Sequence, residues 1–145
     1  MSKIQFRKAT EIPKGWGQET VIANNDKYCG KLLIYDKAEI ESSSHFHLEK
    51  SETFFVFSGE FLFNMWDESG TKLATVIRVG DVIDIPAGCP HRVKCISPGT
   101  IFEVSTPHSD EDVIRIEPGE SQLVKERETA ESIKKIVKTL DDFQS

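Results

Sequence analysis

No stretch of this sequence is apolar for long enough to cross a bilayer, and the N-terminal Met-Ser-Lys-Ile-Gln-Phe-Arg-Lys lacks the apolar run of a signal peptide. A cytoplasmic protein with no membrane partner is expected. Basic residues are also in deficit: 18 Lys and Arg stand against 24 Asp and Glu, for a formal charge of −6. No basic-aromatic stripe offsets that balance, so it argues against nucleic acid as a partner. Cysteine is sparse. Cys29, Cys89 and Cys95 form an odd set without a CxxC pair, which gives no disulfide framework and fits a reducing compartment. Three small buried side chains are the simplest reading, with Cys89 set apart because it lies two residues before His91. Repeats, linkers and low-complexity segments are missing as well.

What is present is enough for one domain. At 145 residues the chain can bury a core without staples. Short strands with turn signals at regular spacing are expected at residues 4–7, 19–23, 28–35, 53–58, 60–66, 73–78, 81–85, 91–95, 100–105 and 112–116, with a further strand through His45 and His47. This is the pattern of an all-β sandwich or barrel. Phe54, Phe55, Val56 and Phe57 are apolar on both parities, which predicts burial on both faces and suggests a homodimer. Trp16, in Gly-Trp-Gly, reads as a plug for one end of the barrel. From residue 128 to 143 the period changes: Ile133, Ile136, Val137, Leu140 and Phe143 recur at helical spacing, with Lys134, Lys135 and Lys138 outside. That helix is expected to pack on the barrel or on a partner.

The chemistry gathers in two blocks. His45 and His47 are two apart, so on a strand both imidazoles leave one face. Glu52 follows a short polar turn. Gly80 to His91 ends a strand in Pro86-Ala87-Gly88 and delivers a third imidazole. Imidazoles and a carboxylate brought to one spot suit a first-row divalent metal. The fourth histidine, His108, reads as a solvated loop residue at the rim.

These blocks resemble the two motifs of the cupin superfamily. His45, His47, Glu52 and Gly59 match the first, and Gly80, Pro86, Gly88 and His91 match the second. Two positions depart from the family pattern: Glu39 where Gly is frequent and Cys95 where Asn is frequent. The resemblance covers roughly residues 30–105. It implies a double-stranded β-helix, or jelly-roll barrel, in a single cupin domain spanning 1–145, with the barrel at about 19–117 and a C-terminal α-helix. It also implies one divalent metal ion (Mn, Fe, Zn, Ni or Co) on His45, His47, Glu52 and His91.

Two further residues resemble those of the cupin-type sugar isomerases. Lys50 completes His-x-His-x-x-Lys-x-Glu, similar to the ligand strand of the D-lyxose isomerase group. Glu103, in Glu-Val-Ser, resembles the catalytic acid of that group. The stretch from Asp110 to Glu117 is similar to the tail of mannose-6-phosphate isomerase cupin domains. The resemblance implies an aldose–ketose isomerase acting on a sugar or sugar phosphate through an enediol, with Glu103 and Lys50 catalytic. Structural readings stand beside it: Lys50 as a solvated turn lysine, and Glu103 as an ion-pair partner of Arg92 or Lys94. An Fe(II)-dependent dioxygenase and a non-catalytic metal-dependent small-molecule binder are the alternative functions.

Overall fold

The computed structural model describes residues 3–144, except for the side chains of 121, 122, 124–127 and 141–144. Among the described residues eleven strands precede one long helix. They are β1 (Thr10–Lys14), β2 (Gly17–Asn24), β3 (Cys29–Tyr35), β4 (Ser44–His47), β5 (Glu52–Val56), β6 (Glu60–Trp66), β7 (Lys72–Ile77), β8 (Val82–Ile85), β9 (His91–Ser97), β10 (Gly99–Ser105) and β11 (Val113–Glu117). The helix, α1, is Glu120–Gln144. The strands form two antiparallel sheets, one in the order β1-β2-β3-β10-β5-β8 and the other β11-β4-β9-β6-β7. Successive strands alternate between the sheets over much of the chain, which winds the double-stranded β-helix expected from the motifs.

Period-two burial explains the strands. In β3, Cys29, Lys31, Leu33 and Tyr35 point inward, while the residues between them are half-buried. Val56, Phe61, Cys95 and Ile101 are fully enclosed between the sheets. Trp16 is a buried core residue and stacks on Tyr35 with ring centroids 4.5 Å apart. Gly59 sits at φ +81° with Ser97 O 2.6 Å from where a Cβ would lie, so only glycine fits that turn.

The two departures from the cupin pattern face each other. Glu39 N–H donates to Cys95 O at 2.8 Å, and Cys95 N–H donates to Ile40 O at 2.9 Å. Glu39 takes φ +69°, the left-handed region that glycine tolerates best. Cys95 is a buried core residue.

Several expectations need correction. Residues 4–7 form no strand: Ile4 and Phe6 are exposed, and the first sheet begins at Thr10 because that segment finds no strand to pair with. Along β5 and beyond it burial alternates, so the chain itself covers Phe54 and Val56, whereas Phe55 and Phe57 face outward at 40% and 67% exposure and, among the described residues, no second sheet covers them. Cys29 and Cys95 are buried, but Cys89 is exposed at the Pro-Gly turn. The helix begins at Glu120, ahead of the expected 128, and Ile133, Ile136, Val137 and Leu140 are exposed rather than packed on the barrel. The side chain of Phe143, counted in that stripe, lies outside the described residues. Among the described residues no helix is long and apolar enough to cross a membrane.

Candidate metal centre

Three strands converge on one point inside the barrel. β4 carries His45 and His47, β5 opens with Glu52, and β9 opens with His91. Pairing of β4 with β9 sets His45 directly across from His91. The Pro-Gly turn is tied to the ligand strand, because Gly88 N–H donates to His47 O at 2.7 Å. One donor atom from each of His45, His47, Glu52 and His91 lies within 4.8 Å of the others.

The hydrogen bonds around the imidazoles fix what they present. His91 Nδ1 is 2.9 Å from Cys89 O, and His45 Nδ1 is 3.0 Å from Ser43 O. A carbonyl only accepts, so each Nδ1 carries the proton and each Nε2 offers a lone pair. His91 Nε2 and Glu52 Oε1 stand 2.9 Å apart, yet both are buried without a geometrically acceptable hydrogen bond. His47 Nε2 lies 3.6 Å from the same oxygen. Lone pairs buried face to face are costly alone and are resolved by a shared cation. The residues therefore fit a divalent metal.

Charge states agree with that reading. Burial, helped by the neighbouring His91, pushes His45 down to about 3, and burial with Lys50 nearby pushes His47 down to about 4. Both are neutral donors near pH 7. Burial tends to raise Glu52, but the Lys50 ammonium 3.2 Å away outweighs it and holds the carboxyl below the usual range.

Beside this cluster lies a second, ionic one. The turn before Glu52 is pinned by Asp112, whose carboxylate accepts the N–H groups of Glu49 at 2.8 Å and Lys50 at 3.0 Å. The Lys50 side chain therefore turns inward, only 3% exposed. Its Nζ lies 3.2 Å from Glu52 Oε2, 3.2 Å from Glu103 Oε2 and 3.1 Å from His108 Nδ1. Lys50 is no solvated turn residue. Nor does Glu103 pair with Arg92 or Lys94, which leave the other face of β9 for Glu41 and Glu117, and for Glu39, respectively. Burial, and Glu52 nearby, push Glu103 up to about 7. Burial tends to lower Lys50, but Glu103 and Glu52 outweigh it and raise it.

Two participants escaped the sequence reading. His108 lines the cavity but is not a freely solvated loop residue: it bridges Lys50 to Asp110, with Nε2 3.0 Å from Asp110 Oδ1. Lys31, 3% exposed, pairs with Glu19 at 2.8 Å and sits directly across from Glu103 between β3 and β10. The signal for Lys31 was available, since it shares parity with Cys29, Leu33 and Tyr35. His108 gave none, because its position depends on a loop. All these groups line one cavity of about 380 Å³, together with Trp16 and Tyr35. That volume suits a small metabolite.

Residues 31–106 match the Cupin domain family, and the chain belongs to it. Among solved structures, Bacillus subtilis oxalate decarboxylase superposes with a TM-score of 0.65 at 16% identity, covering 74% of this chain and 30% of that one. The capsular polysaccharide assembling protein CapF from Staphylococcus aureus superposes with a TM-score of 0.68 at 19% identity, covering 77% of this chain and 32% of that one. At such identities the likeness establishes the fold alone. The chain spans about a third of the length of these proteins. The decarboxylase contains Mn(II) centres. No curated protein sequence matches the chain.

Proposed function

We propose that this cupin holds one divalent metal ion on His45, His47, Glu52 and His91 and interconverts an aldose and a ketose through an enediol. The observation that carries the reading is the Lys50–Glu103 contact at 3.2 Å, buried in the same cavity as the histidine–carboxylate cluster. A carboxyl and an ammonium are costly to enclose unless they have work there. An ion at the cluster supplies Lewis-acid polarisation of a carbonyl oxygen and its neighbouring hydroxyl.

The side chains do the rest. Glu103, as carboxylate, removes the proton from the carbon next to the carbonyl, and the C–H electron pair becomes the enediol double bond. Lys50 Nζ donates a proton to the carbonyl oxygen and recovers one from the adjacent hydroxyl. Glu103 then returns its proton to the former carbonyl carbon, so atoms and electrons balance. Trp16 and Tyr35 form an aromatic wall that excludes water from one side of the cavity. Two copies of the chain are further proposed to pair through the outward face that bears Phe55 and Phe57.

Proton NMR of an aldose and ketose panel in D2O, with metal-loaded protein, tests the reaction. Deuterium should enter at C2 of an aldose or C1 of a ketose, and Glu103→Gln should abolish exchange while metal content stays unchanged. Oxygen consumption without exchange would favour the dioxygenase, and binding without either would favour the non-catalytic module.

A further inference from the structure

We infer that the sugar carries an anionic group, a phosphate or a carboxylate, and that Arg115 binds it. This rests on the isomerase reading only in taking the ligand to be a sugar. β11 pairs with β4 so that Arg115 stands directly across from His45, and Val113 across from His47. Cross-strand partners share a face, with Cβ atoms about 5 Å apart. Val113 and Arg115 accordingly line the cavity, while Ile114 and Ile116 are exposed on the other side. An edge strand thus places a guanidinium at the mouth of the cavity, next to the metal cluster.

Among the described residues Arg115 makes no hydrogen bond and no ion pair, although other cations of the barrel are well matched. Lys31 is held by Glu19 at 2.8 Å, and Lys50 by Glu52 and Glu103. On the outer face, Arg92 and Lys94 have carboxylates of their own. Lys14, on the edge strand β1 of the opposite sheet, also lines the cavity. It comes only within 4.0 Å of Glu19, a carboxylate that Lys31 already holds. Two under-partnered cations therefore flank the opening.

The charge balance of the cavity points the same way. Its lining cations are Lys14, Lys31, Lys50 and Arg115, and its lining carboxylates are Glu19, Glu52, Glu103 and Asp110. They cancel, so a divalent ion at the cluster leaves the cavity with a positive excess inside a chain of net charge −6. A neutral sugar would leave that excess unmatched. A phosphate dianion cancels that excess and a carboxylate halves it, and the planar fork of a guanidinium donates two parallel N–H bonds to either group.

Calorimetric binding to the metal-loaded Glu103→Gln protein, which separates binding from turnover, tests this with glucose, glucose 6-phosphate and glucuronate. At least one anionic sugar should bind tenfold or more tightly than glucose. Arg115→Ala should bring the ratio to within about threefold, and Arg115→Lys should restore part of it. Which of the two anions binds distinguishes phosphate from carboxylate. Equal affinity for glucose and both anions, no binding of either anion, or a preference that survives Arg115→Ala, overturns the proposal. Anion preference without isotope exchange in the active protein would refute the isomerase and leave this inference standing. Exchange of neutral sugars without charge preference would do the reverse.

Discussion

Lys50 is the side chain whose removal should be felt most widely. Its ammonium is buried against Glu52, Glu103 and His108 at 3.1–3.2 Å. Lys50→Met keeps most of the volume but leaves two carboxyls facing each other without their cation. Breaking a buried ion pair by removing one partner costs about 3–5 kcal/mol. Against a typical total of about 5–15 kcal/mol for a domain, that brings the metal-free protein near its unfolding threshold. Urea unfolding of metal-free protein at pH 7 measures the loss. In a Glu103→Gln background the same substitution should cost at least about 1.5 kcal/mol less, because one orphaned charge has gone, and a double-mutant cycle isolates that coupling. Adding a divalent metal should recover part of the stability, since Glu52 then has a cation of its own. A loss below about 1 kcal/mol, or one unaffected by Glu103→Gln, would refute the ionic account of this site.

The metal-free protein should lose stability on acidification from pH 6.5 to 4.5. His45 and His47 are pushed down to about 3 and 4, so in this window the unfolded chain binds two protons that the native one does not. Glu103, pushed up to about 7, binds one extra proton in the native state and opposes them. His108, which burial also lowers, adds to the histidine side. The net is therefore at least one proton, or about 3 kcal/mol or more across the window, and urea unfolding that is flat or strengthens toward pH 4.5 would contradict it. Glu39→Gly should stabilise by about 1 kcal/mol by relieving the left-handed backbone, raising the melting temperature by about 3 °C in calorimetry. The lost contact with Lys94 matters little, since Glu39 is 72% exposed there. Light scattering should give a dimer for the native chain and a monomer for the Phe55→Lys, Phe57→Lys double variant, and a monomeric native chain would rule out the pairing.

Residues whose role follows from spacing along one or two strands were legible. His45 and His47 share a face because the side-chain period is two, and the turns before Glu52 and His91 are short enough for motif and structure to agree. Glu39 and Cys95 stood out as departures, but only the fold shows that they meet through one hydrogen bond. Phe55 and Phe57 signal a second covered face by parity, but a single chain supplies only one cover, so what lies over them was not legible. Lys50 was ambiguous for a different reason. A turn lysine points to water by default, and Asp112, far along the chain, decides otherwise.

The same distinction separates the metal cluster from the charge balance around it. The four candidate ligands come from two short blocks whose internal spacing carries the information. Lys31 meets Glu103, and Arg115 meets His45, only through the registers of β3 with β10 and of β11 with β4. A one-residue slip in either pairing would turn the cation to the other face, away from the cavity, while leaving both cupin motifs intact. The candidate metal ligands and the proposed charge selection can therefore vary independently in this fold. The first depends on the motif spacings, and the second on which residue an edge strand places opposite a ligand.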